Sequence, residues 1–564
     1  MASLPQPHRL DVRSLASFRI LVSLFLLHDL YRRLEHGRID LAWYYSDSSD
    51  GSSSDSPSYF YPAVLDAADS PHGSPVHKVW FYRGSPYVAC AIFAVTAILT
   101  ILYGLGTQHF QWISVLLWLC VSNIQNKSPH LGDGSESYSR NMLLWTCCCG
   151  PHMTRAWSVN SYYEKKQMIG ASKKTEDEGG STNRDNRIGS GVVSSYATLG
   201  ISLQVPIMYI GAVHRRFSGN MWLYPDLTAV YYAFNRAFGT RQYAADLARQ
   251  FPQVTRAMTA AGMAAEISLP LLLILAPCEG KSSRRHIPAV LLALFHMSLY
   301  AAMSLFNWQF FSAICCVLFV PPVAWDNWLG TFKGSLPWSG GRISPKSATL
   351  QAKVRKCISA FFLFYMLYNA GGNYGIIAKH DDGDIGEFLR FNQWWVMYGP
   401  NVGTVDKVGM MIGVIDPPIE GMNDEGGMTN TQAVQRVDLM KAIRTNDWSS
   451  ASILDETEYA KMRQELPGNM ASRFPSWRWE VAMKDWIKDD VKPAQFTRSK
   501  RSVRLGKTLC AAANDAFLQY GRKGSSVVSV ELTFWTARTV SFEKATIDHR
   551  FDRIGKDLII SVDC

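Results

Sequence analysis

What this sequence lacks narrows its class before any motif is read. Its eleven cysteines never fall at zinc-ligand spacing. Only Cys510 and Cys564 lie outside the apolar part of the chain, so no disulfide framework is indicated. The C-terminal third holds no nucleotide-binding glycine motif and no Gly-x-Ser-x-Gly elbow. No basic cluster with interleaved aromatics accompanies the net charge of +10, so nucleic acid is not implied as a partner. A cleavable signal pattern is missing too: residues 1–13 are polar, and the first apolar stretch already has full span length. Charge is sparse from residue 14 to 370, and the loop 40–77 has six aspartates with no Lys or Arg.

Long apolar runs stand where charge is missing. Val192–Val213 carries no formal charge and, at about 1.5 Å per residue, can cross a hydrocarbon core of about 30 Å. Gln204, Pro206 and Gly211 interrupt it, and His214, Arg215 and Arg216 follow. At 100° per residue Gln204, Gly211 and Arg215 share one helix face, while Tyr209 and Arg216 share another. Lipid cannot satisfy such groups, so they are either glue between helices or the wall of a site.

Seven further segments read as spans: Ser14–Tyr31, Pro86–Leu105, Phe110–Ile124, Met258–Leu275, Ile287–Leu305, Asn307–Val323 and Cys357–Ala370. Arg19 sits near the start of the first, where an isolated arginine can snorkel. Asn141–Met153 reads as a further span or a re-entrant piece, and its Cys147–Cys149 triplet as apolar filler or a palmitoylation site. Glu266 lies near the middle of its span, with Gly262 and Pro270 on the same face. A carboxylate at that depth needs a proton or a partner. His296 sits inside the next helix, as a satisfied core residue or an acid/base group. Trp222–Phe251 is amphipathic, as expected of a segment lying along an interface or over a cavity.

About eight spans are expected, with the topology depending on Asn141–Met153; the amino terminus and the basic loops 155–187, 281–285 and 333–353 are expected in the cytoplasm, and the carboxyl-terminal region outside or in a lumen. Arg215, Arg216, Arg236, Arg241 and Arg249 then fall on the wrong side for a basic segment. Either that segment is a lid over a site or one helix is miscounted. The expected fold class is therefore mainly α: a multi-pass transmembrane bundle over 14–370 after a tail of 1–13, then an extramembrane α+β domain over 371–564. In the latter, Val408–Ile415 and Ser525–Val540 read as strands, and Trp477–Ile487 and Thr508–Tyr520 as amphipathic helices.

The pattern Gln204…Tyr209…Ala212, two basic residues and then a tryptophan resembles the horizontally transferred transmembrane (HTTM) domain family. Several other features are similar to that family's. They are Arg19 in the first helix, Gly132-Asp133 followed by Arg140, Glu266 ahead of a Leu-Pro step, and the segment Trp395, Met397, Tyr398, Pro400. The family is related to the membrane part of vitamin K-dependent γ-glutamyl carboxylase. The resemblance implies a buried site that takes a reduced quinone, with membrane lipids and a quinone or a polypeptide substrate as partners. It implies Glu266 and His296 as catalytic candidates and Gln204, Tyr209, Arg215 and Arg216 as substrate-binding candidates, with no metal. The carboxylases have lysines at the paired basic positions, one of them a base. Arginine, with a pKa above about 12, is a poor base, so carboxylation by that mechanism is not expected of a chain with Arg215 and Arg216. A quinone- or lipid-linked enzyme is the leading expectation. A non-enzymatic membrane scaffold or assembly factor and a proton-coupled transporter are the alternatives.

Overall fold

A computed structural model describes residues 9–35, 86–127, 134–162, 191–236, 239–278, 283–303, 307–329 and 349–377. In the C-terminal third it describes 404–416, 435–439, 453–464, 526–545 and 551–564, with a few single positions besides. The acidic loop 40–77, most of the basic loop 155–187, the Trp395–Pro400 segment, Trp477–Ile487, most of Thr508–Tyr520 and the Gly132-Asp133 step lie outside the described residues.

The chain is mainly helical. Strand β1 (Arg9–Asp11) leads into α1 (Val12–Glu35), followed by α2 (Pro86–Leu105), α3 (Phe110–Lys127) and α4 (Gly134–Cys149). Strand β2 (Val192–Ser194) pairs antiparallel with β1 and precedes α5 (Tyr196–Arg216). The organising apolar run is thus part strand, and its helix starts later than expected because Ser195 caps it. The Ser195 hydroxyl accepts from the Thr198 N–H while Thr198 Oγ1 accepts from the Ser195 N–H, a reciprocal capping box. Short helices α6 (Ala229–Phe234) and α7 (Gln242–Gln250) follow, then α8 (Pro252–Leu275), α9 (His286–Ala302), α10 (Trp308–Cys316), α11 (Pro322–Leu329) and α12 (Thr349–Asn373).

Three of these helices are long and apolar enough to cross a membrane: Val12–Arg33, Tyr196–Arg216 and Pro252–Leu275. The expected span Asn307–Val323 is broken instead. Its halves Trp308–Phe319 and Pro322–Leu329 meet at 96°, and together they make a fourth candidate. Pro321 and Pro322 account for the break, since proline cannot donate to a continuing helical ladder.

Helix α4 is where hydropathy misleads. All its residues except Gly134 and Ser137 are buried, although half of them are polar or charged. Some of those groups bond back to their own helix, Ser139 donating to Glu136 O and Thr146 and Cys147 to Leu143 O, while Arg140 donates to Gln125 Oε1 of α3 at 3.0 Å and Glu136 pairs with Arg33 of α1. Cys147, Cys148 and Cys149 are buried, as apolar filler would be. Arg19 does not snorkel. It is fully buried and donates to the carbonyls of Gly104 (3.2 Å), Met153 (2.5 Å) and Trp157 (2.5 Å), serving orphan carbonyls where α2 ends and after α4. The turn after α2 needs Gly106, whose φ is +65° and whose missing Cβ would meet the Arg19 guanidinium.

Contacts sort the helix ends into two sets. At one end β1 pairs with β2, Ser14 donates to Val320 O (2.7 Å), Arg285 to Leu273 O (2.6 Å) and Arg355 to Gln111 Oε1 (3.0 Å). At the other, Arg33 pairs with Glu136 (2.5 Å), Asn307 donates to Asp29 Oδ1 (2.8 Å) and Arg215 to Asn373 O. The starts of α1, α3, α5, α9 and α12 therefore meet the ends of α2, α4, α8 and α10.

The C-terminal third is α+β. Its antiparallel sheet has the order β5 (Ile453–Leu454), β4 (Gln435–Asp438), β3 (Val405–Asp416), β6 (Ser526–Thr539), β7 (Phe551–Asp563). The register of β3 on β6 runs from Val405↔Arg538 to Asp416↔Ser526, with a shift after Val414. Both strands expected from alternation are present. A short helix α13 (Glu456–Gln464) packs beside them through the Tyr459 hydroxyl on Glu531 (2.5 Å). Cys510 and Cys564 are disulfide-bonded, contrary to the expectation from cysteine count, because the fold brings the chain terminus back to Cys510.

Candidate functional site

The second set of helix ends encloses a cavity of about 340 Å3 lined from α5, α8, α9 and the segment over them. Helix α5 supplies Met208, Tyr209, Ala212 and Arg216; α8 supplies Gly262 and Glu266; α9 supplies Phe295 and His296. Trp222, Val230, Ala233 and Phe234 close it from the amphipathic stretch. That stretch lies over a cavity, one of the two places its periodicity allowed.

Two polar pairs share this apolar chamber. The Arg216 guanidinium forms an ion pair with the Glu266 carboxylate, both side chains under 10% exposed. The Trp222 ring stacks 4.2 Å from Arg216 Cζ, so the cation is held between a carboxylate and an aromatic face. The Tyr209 hydroxyl is hydrogen-bonded to His296 Nε2, and His296 Nδ1 is buried with no hydrogen-bond partner among the described residues. An unmet ring nitrogen beside apolar walls is unusual for a native interior and marks a place where a ligand group can be received.

The sequence candidates divide along the two helix faces. Tyr209 and Arg216, one face, join Glu266 and His296 at the cavity. Gln204 and Arg215, the other face, do not. Gln204 is fully buried and accepts from Trp145 Nε1 at 3.3 Å, tying α5 to α4. Arg215 is half-buried and reaches Asn373 O at 3.5 Å, at the end of α12. The paired arginines thus have separate roles. Trp222 closes the pattern that resembles the HTTM family but was not named as a site residue, and Phe234 and Phe295 carried no signal beyond the aromatic and apolar character of their segments.

The C-terminal domain reaches the outside of this lid. Tyr231 donates to Val540 O (3.1 Å), its ring meets Phe542 edge-on at 5.3 Å, and Arg256 lies over Phe542. Val402 and Phe542 are buried in one cluster with Trp222, Phe234 and Met263. Arg249 pairs with Asp246 and Arg241 lies over Tyr300 at 5.4 Å, so two of the arginines that fit the loop charges poorly belong to the lid.

Chemically, the chamber offers apolar walls, one fixed charge pair and a tyrosine–imidazole pair able to move a proton. Among the described residues no group of three or more His, Cys, Asp or Glu is placed to hold a metal ion. No protein family, curated protein or solved structure matches the chain.

Proposed function

We propose that the chain is a multi-pass integral membrane protein whose lidded cavity handles a lipophilic, oxygen-bearing substrate by proton transfer. The observation that carries this is the convergence of Tyr209–His296 and Arg216–Glu266 on one apolar chamber. The alternation of helix ends supports nine crossings, with α4 as the added one. That count puts the loops 155–187 and 333–353 on the amino-terminal side and the lid and the C-terminal domain on the other. The arginines from Arg215 to Arg249 stay on that other side, where Arg216 is turned inward to Glu266 and Arg241 and Arg249 make contacts within the lid.

Within the cavity His296 is the proton acceptor or donor, because its free Nδ1 can meet a ligand oxygen while Nε2 stays on Tyr209. Arg216 is a cation by chemistry, and it stabilises an oxyanion that forms near it. Glu266 holds Arg216 in place and offsets its charge. A ring-sized apolar group with oxygens at one end fits these walls, so the quinol expected from the HTTM resemblance is compatible with them. Arg216 and His296 would hold its oxygens. When bound, such a group supplies reducing equivalents. The same Arg216–Glu266 contact also supports a second reading, a scaffold in which the pair only ties α5 to α8.

The test is binding of a soluble naphthoquinone to the purified chain in nanodiscs, read by tryptophan quenching through Trp222. Saturable quenching that weakens about tenfold in H296Q, a loss of about 1.4 kcal/mol, supports the site. Absence of saturable quenching in a well-folded wild type favours the scaffold.

A further inference from the structure

A second cavity, of about 540 Å3, lies at the opposite end of the bundle. Its walls are the end of α4 (Cys148, Cys149), His152 just beyond, the start of α5 (Ser195, Tyr196) and the first turns of α12 (Arg355, Lys356). Among the described residues no carboxylate lines it, Arg355 is engaged only by a neutral group, Gln111 Oε1, and Lys356 lies 5.8 Å over the Tyr196 ring. Among the described residues neither cation has an ion pair. His152 adds a buried Nδ1 without a hydrogen-bond partner among the described residues. Burial, with Arg155 and Arg355 nearby, pushes its imidazole down to about 4, so it is neutral at physiological pH and adds no repulsion of its own.

These two cations, without an ion pair among the described residues, share the cavity with the amino end of a 21-residue helix. The Ser195 cap serves the Thr198 N–H, and the first-turn N–H groups of Tyr196 and Ala197 have no acceptor within the helix. Cations and a helix amino terminus together favour a compact multivalent anion. Next to the notch, α12 exposes Val354, Ile358 and Phe361 at helical spacing, an apolar strip leading away from the charges.

We propose that this basic notch binds the phosphate of an anionic lipid headgroup, held by Arg355, Lys356 and the amino end of α5, with an acyl chain along the Val354–Phe361 strip. The site is separate from the Glu266 cavity and does not depend on what that cavity does.

The experiment quantifies lipid retained by the full chain after purification from mixed phosphatidylglycerol–phosphatidylcholine membranes, by native mass spectrometry. Wild type should keep phosphatidylglycerol in preference, and K356Q and R355Q/K356Q should lose about tenfold of that preference. K353Q, one turn-position away and outside the notch, should not. A352F, which fills the notch from an exposed position and leaves both cations in place, should lose it too, so the result does not rest on a variant that disturbs Arg355–Gln111. Inorganic phosphate is added in a parallel arm. If it stabilises lipid-free wild type against heat, but not K356Q, while no lipid is retained, the phosphate site holds and its source is a free anion. Equal retention of both lipids, with no effect of phosphate, overturns the proposal. Naphthoquinone quenching in the same samples separates this outcome from failure of the first cavity.

Discussion

Arg216 shows how little the residue type alone decides. Beside Arg215 in sequence, it is turned to the interior and met by Glu266 and Trp222, whereas Arg215 caps the end of α12. Removing one member of a buried pair leaves the other charge uncompensated, at a cost of about 3–5 kcal/mol, whereas removing both is far milder. E266Q and R216M should therefore each lower thermal stability sharply, and the double variant should recover most of the loss; additive losses would deny the pairing. His152 gives a pH signature of the same kind. Its folded-state pKa lies below the ordinary 6.5, at about 4, so its contribution to stability is complete above 6.5 and is lost as pH falls toward 4. The expected loss over that window is roughly 3 kcal/mol, discounted for its partial exposure. H152Q should flatten that part of an acid-unfolding profile, and an unchanged profile would contradict the burial.

At the scale of elements, α5 was the most legible. Helical periodicity placed Tyr209 and Arg216 on one face and Gln204 and Arg215 on another, and only the first pair lines the cavity. What periodicity could not show is where the helix starts, because Val192–Ser194 is apolar enough to extend it and is instead claimed by pairing with β1. Two substitutions test the packing of α5. S195A removes the cap and should cost about 1 kcal/mol. G200A drives a Cβ into the Trp145 ring and should cost about 1–3 kcal/mol by overpacking, read as a fall in Tm. A neutral G200A would mean α4 and α5 do not pack as closely as described. Helix α4 was only half legible, for a physical reason: Ser139, Thr146 and Cys147 bond back to their own helix, so burial does not require an apolar composition. Arg19 was misread for a related reason, since its acceptors are carbonyls released by the ends of other segments.

Across the whole molecule, one cysteine pair bears on orientation. A disulfide such as Cys510–Cys564 is expected of an oxidising compartment, while Cys315, Cys316 and the Cys147–Cys149 group are free and buried among the helices. The proposed nine crossings place the C-terminal domain on the non-cytoplasmic side, which agrees with that bond. In intact cells a bulky maleimide should shift the domain only after reduction, and C510S should leave Cys564 reactive without it. Reactivity without reductant would reverse the orientation. The cavity of the Glu266 pair then opens beneath a lid that the C-terminal domain covers through Tyr231 and Phe542, so bundle and domain form one enclosure. Photolabelling with a diazirine-bearing naphthoquinone, followed by mapping of the modified peptides, tests that enclosure most directly. Label concentrated on Trp222–Phe234, Met258–Glu266 and Phe295–Met303, and displaced by excess naphthoquinone, is the predicted result. Undisplaced label spread over outward-facing positions such as Phe361 and Phe364 would contradict it.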